Sequence, residues 1–195
     1  MVIIHTTRCA RLLILSAVAV LVLSMGLAVY TAAAEAPTDV IVTDTKTRLS
    51  NVLIEDLDEL NLVEERAQKI DAYYDQWNLP LSGYGRVMVE EAMAHGIDWR
   101  LVAAIGMRES TGGKFACQTV DYSAFGWGSC KINFDSYEHS IAVISQNLGG
   151  HNPRTATYYA NKDLVGILEA YNPPTIKPGY ARDVIRIMDE IQMMS

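Results

Sequence analysis

An almost unbroken apolar run from Leu12 to Val29 constrains this 195-residue chain more than any other feature. It is the one segment near the roughly 20 apolar residues that a bilayer-crossing helix needs, so a polytopic membrane protein is excluded. His5, Arg8 and Arg11 precede the run, while Ala32, Ala33 and Ala34 follow it, with Glu35 just beyond. A basic flank, an apolar core and a small-residue exit form the pattern of an export signal. The basic flank stays inside and the acidic flank goes out. The expectation is an extracytoplasmic protein. It is either secreted after cleavage behind Ala34 or anchored to the cell membrane by an uncleaved N-terminal helix.

Export gives the cysteines a meaning. Cys9 lies ahead of the apolar run and is no lipoprotein acceptor, which leaves Cys117 and Cys130. Two thiols in an oxidising compartment usually become one disulfide. The bridge would close a loop of about 14 residues, worth roughly 3 kcal/mol in the chain-entropy model. The competing reading makes Cys130 a nucleophile with His139 or His151 as its base, as in a cell-wall amidase. That reading leaves Cys117 idle and has no local nucleophile signature.

Charge is distributed unevenly. Residues 35–78 hold 11 acids against 4 bases, and residues 79–195 hold 12 against 10, within a total net charge of −7. Nucleic-acid binding needs clustered Lys and Arg, which this chain lacks. A nearly neutral domain suits an uncharged surface such as sugar. His95, His139 and His151 follow no metal-ligand spacing, and no phosphate loop, dinucleotide fingerprint or nucleophile elbow occurs, so neither metal nor cofactor is expected.

The chain divides into a signal or anchor (1–34), an acidic linker and helical stalk (35–69) and a domain (70–195). Pro37 to Thr47 reads as linker. Leu53, Leu57, Leu60, Val63, Ala67, Ile70, Tyr74 and Trp77 then recur at helical spacings. A partner-binding coiled coil would share this spacing, but Asn61 and the short length favour a helix that docks on the domain. Beyond Pro80 and Gly83, an amphipathic helix over Tyr84 to His95 ends at Gly96, a natural C-terminal residue. Asp98 is placed to cap a helix from Trp99 to Ser110, with Ile97 as its staple. Lys114 to Phe134 reads as loop or short hairpin. Ser136 caps a helix to about Leu148, Asp163 another to Ala170, and Pro178 begins a last one. The fold class is mainly α, with one irregular aromatic insertion.

Glu109 is the candidate catalytic residue. Leu101, Val102, Ile105 and Glu109 follow one another at helical steps, so the carboxyl lies along the apolar edge. Burial beside apolar neighbours and the negative end of the helix dipole both favour the protonated acid, as a general acid requires. The bland alternative pairs Glu109 with Arg108 or Lys114.

The string Ile105-Gly106-Met107-Arg108-Glu109-Ser110-Thr111-Gly112-Gly113 resembles the E-S-x-x-G signature of the lysozyme-like superfamily, especially bacterial lytic transglycosylases. Ser123-Ala124-Phe125-Gly126-Trp127-Gly128 resembles that family's N-A-F-G-type segment, with Ser at 123 where Asn is common. Ala170-Tyr171-Asn172-Pro173-Pro174 is similar to its A-Y-N motif, and Tyr180-Ala181-Arg182-Asp183-Val184 to the start of its closing helix. The resemblance spans roughly Ile70 to Ile191.

It implies an α+β lysozyme-like fold and cleavage of the β-1,4 bond between N-acetylmuramic acid and N-acetylglucosamine in peptidoglycan. Glu109 would act first as acid and then as base on the muramyl 6-hydroxyl, leaving a 1,6-anhydro end. Tyr171 would lie near Glu109 and orient it or the substrate. Asn172 would hold the turn or reach sugar hydroxyls, and Ser123, Phe125, Gly126 and Trp127 would line the groove. Ser110 either orients the acid or bonds backbone at the helix end. Tyr122, Phe125, Tyr158 and Tyr159 are better placed in the core, whereas Trp127 between glycines is the ring to stack on sugar. If Asp121 or Asp135 faces Glu109, a hydrolytic muramidase or an endo-N-acetylglucosaminidase is the better reading. A wall-binding module without catalysis is the rival from another class.

Overall fold

Helices are the regular structure of the described residues, and no strand occurs among them. The computed structural model describes residues 38–195. Residues 1–34, expected to be a signal or anchor, lie outside that span, and no described helix is long and apolar enough to cross a membrane. Among the described residues seven α-helices follow one another: α1 (Thr38–Asp75), α2 (Gly85–His95), α3 (Leu101–Ser110), α4 (Tyr137–Leu148), α5 (Ala156–Tyr159), α6 (Leu164–Tyr171) and α7 (Tyr180–Gln192). A single 3-10 turn (Trp127–Ser129) interrupts the long loop between α3 and α4. The mainly α expectation therefore holds. The short hairpin allowed for the insertion does not form, and a disulfide-tied loop takes its place.

The segment from Pro37 to Thr47, expected to be a linker, is helical from Thr38 onward, and its backbone is continuous with the stalk. The chain divides into two compact units at Val52 and Leu53. Residues 38–52 contribute helical backbone to the first. In the second, Leu53 to Ser195, the apolar stripe of α1 becomes a core face at Val63, Ala67, Ile70 and Tyr74, all buried.

α3 is the centre of this unit. Leu101, Val102, Ala103, Ala104 and Ile105 are all fully buried. A helix that is apolar on every side is stable only when surrounded. α7 packs on α3, and α2 packs on both α3 and α4. The face that α7 offers is Tyr180, Val184, Ile187, Met188 and Ile191, at steps of three and four. α1 closes the same core, and its Tyr74 hydroxyl donates to the Ala103 carbonyl at 2.7 Å. Burying each of these large side chains contributes about 1.5–3 kcal/mol before the entropy of ordering them is subtracted.

Helix ends follow the sequence signals, with small shifts. Gly96 adopts a left-handed conformation after α2, and Ser136 and Asp163 accept backbone N–H groups at the starts of α4 and α6. Asp98 does not cap α3 directly. Its carboxylate accepts the Arg100 N–H and guanidinium, closing a turn that delays the helix to Leu101. α7 begins at Tyr180 rather than Pro178, because Gly179 adopts a left-handed conformation between them. The start of α2 is served from α1, where Asp71 Oδ1 accepts the N–H groups of Gly83 and Gly85, both at 2.9 Å. Burial pushes the Asp71 carboxyl above its ordinary range, opposed by those two bonds.

Candidate active site

The site begins with a missing side chain. Gly106 stands one turn before Glu109 on α3, and a Cβ there would come within 3.0 Å of both Leu81 Cδ1 and Phe125 Cε1. The bare backbone lets the Phe125 ring seat against the helix, where it is buried. Seating Phe125 brings the next residue, Gly126, up to the acid. A Cβ on Gly126 would lie 3.2 Å from Glu109 Oε2. Gly126 also has φ +64°, a left-handed conformation that few other residues adopt without strain.

The other carboxylate oxygen is held by α7. The Tyr180 hydroxyl donates to Glu109 Oε1 at 2.6 Å. Burial pushes the Tyr180 phenol far above its ordinary range, and Tyr171 and Glu109 add to the effect. The hydroxyl therefore keeps its proton and remains a donor. The Tyr180 ring stacks on Tyr171, with centroids 6.0 Å apart and planes tilted by 12°. Tyr171 turns its own hydroxyl to the carbonyl of Phe125. Its phenol is likewise raised, first by burial and then by Glu109. Two tyrosines thus tie α6 and α7 to the acid and to the loop that faces it.

Neither expected basic partner takes Glu109. The guanidinium of Arg108 reaches Asp183 at 3.4 Å and lies over the Tyr180 ring, 5.7 Å from its centroid. Lys114 Nζ lies over the ring of Phe115. Glu109 is half-buried, at the edge of the core rather than within it.

Next to this edge is an open cavity of about 380 Å³, lined by Gly126, Trp127, Gly128, Ser129 and Tyr171. The Trp127 ring is half-buried, 5.8 Å from Tyr171 and 6.2 Å from Tyr159. The Tyr159 hydroxyl is pushed up to about 12 by burial. Cys117 and Cys130 are bonded to each other, so the wall segment lies inside a covalently closed loop. The bond removes Cys130 as a free nucleophile.

The remaining candidates separate. Ser110 is buried; its Oγ donates to the Gly106 carbonyl and accepts the Gly113 N–H at 2.8 Å, both backbone bonds at the helix end. Ser123 is buried with its hydroxyl lacking a protein partner. Asn172 stands at the C-terminus of α6, its N–H donating to Leu168. The Asp135 N–H donates to His139 Nδ1 at 3.3 Å while its carboxylate stays exposed at the surface, and the Asp121 N–H donates to Asn133. Phe125 and Tyr159 are core, as expected, but Tyr122 and Tyr158 are exposed. Two features escaped the sequence reading. Tyr180 had a signal, as the first member of the α7 stripe. The other is His95 Nδ1 meeting His151 Nδ1 at 2.8 Å, which joins α2 to the turn after α4. Among the described residues no group of three or more His, Cys, Asp or Glu is placed to hold a metal. No family model, no curated protein and no solved structure matches this chain.

Proposed function

We propose that the protein cleaves the glycan strands of peptidoglycan at the bond between N-acetylmuramic acid and N-acetylglucosamine, with Glu109 as the only catalytic carboxyl, as in lytic transglycosylases of the lysozyme-like fold. The observation that carries the reading is the carboxyl at the end of α3. One oxygen is fixed by Tyr180, and the other faces a glycine beside an open cavity. A fixed oxygen orients the acid, and a side-chain-free neighbour leaves room for a bulky substrate to approach it.

In this mechanism Glu109 gives its proton to the glycosidic oxygen. The bond to the muramyl C1 then breaks, and assistance from the substrate's N-acetyl group replaces a second protein carboxylate. The resulting carboxylate then takes the proton of the muramyl 6-hydroxyl as that oxygen closes on C1. Tyr180 holds Glu109 through both proton transfers. Trp127 offers an aromatic face to a pyranose ring, and the backbone of the Phe125–Gly128 segment offers N–H and C=O groups to N-acetyl amides.

Glu109→Gln is the test. The substitution lowers release of soluble muropeptides from purified sacculi by about 10²–10⁴-fold while leaving sacculus binding intact. Mass spectrometry of the wild-type digest shows 1,6-anhydro ends. Reducing ends alone would move the assignment to a hydrolase, and lysis untouched by Glu109→Gln would end it.

A further inference from the structure

The N-terminal part of α1 within the second unit carries an apolar stripe that the domain does not cover. Leu53, Leu57 and Leu60 recur at steps of four and three, and they are 62%, 58% and 56% exposed. The stripe continues directly into Val63, Ala67 and Ile70, which are buried against the domain. One helical face is therefore core at one end and bare at the other. Ile54 and Leu62 add exposed apolar surface on the same two turns.

Charge says what fits this face. From Leu53 to Glu65 the helix carries six acids and no Lys or Arg. Glu64 and Glu65 face Arg86 and Lys69 of the same unit, so Glu55, Asp56, Asp58 and Glu59 set the charge beside the leucines. Asp56 lies one turn from both Leu53 and Leu60 and so borders the stripe. Two copies of the Leu53–Leu62 segment side by side would set four acids against four acids, and like charges across a helical interface are destabilising. An anionic lipid surface would repel the helix in the same way. A helix with apolar residues on one face and Lys or Arg along its borders satisfies both requirements, because it buries the leucines and neutralises the acids.

We propose that the Leu53–Leu62 face of α1 is a docking site for a basic amphipathic helix of a partner protein. The site lies on the stalk and is independent of Glu109, so it recruits or positions the domain without entering its chemistry.

The test uses the full chain and a synthetic 18-residue amphipathic helix of Leu and Lys, with a Leu/Glu peptide of the same pattern as control. Fluorescence anisotropy shows binding of the Lys peptide, none of the Glu peptide, and weakening as salt is raised. The triple variant Leu53→Ser, Leu57→Ser, Leu60→Ser lowers the affinity at least tenfold. Its near-ultraviolet circular dichroism is unchanged, because the replaced side chains are exposed. Equal binding by the triple variant, or no binding by the wild type, overturns the proposal. So does leucine-dependent dimerisation in sedimentation, which would assign the face to a second copy. Leucine-dependent binding to anionic vesicles would assign it to a membrane and likewise overturn the proposal.

Discussion

α3 and the loop from residue 114 to 134 meet at Glu109, and they reach a defined shape by opposite routes. α3 opens with five consecutive aliphatic or alanine residues with no exposed surface, held by packing from α2 and α7 and by the Tyr74 hydroxyl of α1. The loop has little regular structure. Tyr122, Gly126, Gly128, Ser129 and Cys130 all have positive φ, and a disulfide joins its two arms. Packing makes the helix a rigid platform for a carboxyl. Covalent closure lets the loop present glycine and tryptophan next to that carboxyl without filling the space with a core of its own. Rigidity and access are thus supplied by different parts of the chain.

The comparison can be broken first on the helix. Ile105→Ala empties a fully buried position, and it should cost about 2–5 kcal/mol of unfolding free energy in urea titration. Activity per folded molecule should change little. If the loss is much smaller, α3 is not the platform described. On the loop, the double variant Cys117→Ser, Cys130→Ser should lose about 3 kcal/mol at most. Limited proteolysis should then cut between Phe115 and Phe134 before the helices are attacked. Cleavage spread over the whole domain would mean the loop and core unfold together.

The junction itself is sharpened by Tyr180→Phe, which keeps the ring stacked on Tyr171 but removes the donor to Glu109. Loss of one hydrogen bond worth about 1.4 kcal/mol should lower kcat about tenfold. KM should stay close to wild type, and unfolding free energy should fall by about 1 kcal/mol, because the same bond is present in the resting fold. A change in KM alone would place Tyr180 in substrate binding instead. The smallest effect is expected where α2 meets the turn after α4, because burial pushes His95 below its ordinary value and Glu91 opposes it. Above about pH 6.5 both folded and unfolded chains hold this imidazole neutral. Below it the unfolded chain takes up the proton first, so stability falls as pH drops. Two protonated rings would also lose the acceptor in the His95–His151 bond. The urea midpoint should decrease slightly between pH 7.5 and 5.5, and His95→Asn should flatten that slope.

Much of the helical framework was legible because helices carry their own punctuation. Gly96, Ser136 and Asp163 end or begin helices where their side chains, or the lack of one, predict. The stripe of α1 was legible too, but its division into a buried half and a bare half was not. Leu57 and Val63 look alike in sequence, and only the position of the domain distinguishes them. Helix formation over 38–47 was missed because Thr, Asp and Val are weak helix formers, and continuity with the stronger helix beyond them prevailed.

At the site, periodicity placed Glu109 on the apolar edge of its helix, and spacing paired the two cysteines, since both depend on residues near one another in the chain. Which partner would hold the acid could not be decided that way. Arg108 is its neighbour in sequence but turns to Asp183, whereas Tyr180, 71 residues away, supplies the hydrogen bond. His95 and His151 meet across 56 residues for the same reason. Local order is written in helical repeats and capping residues, where the interacting groups are three or four positions apart. The surroundings of the carboxyl depend on how α3, α6 and α7 pack, and on how close Gly106 lets Phe125 approach, which only the folded chain decides.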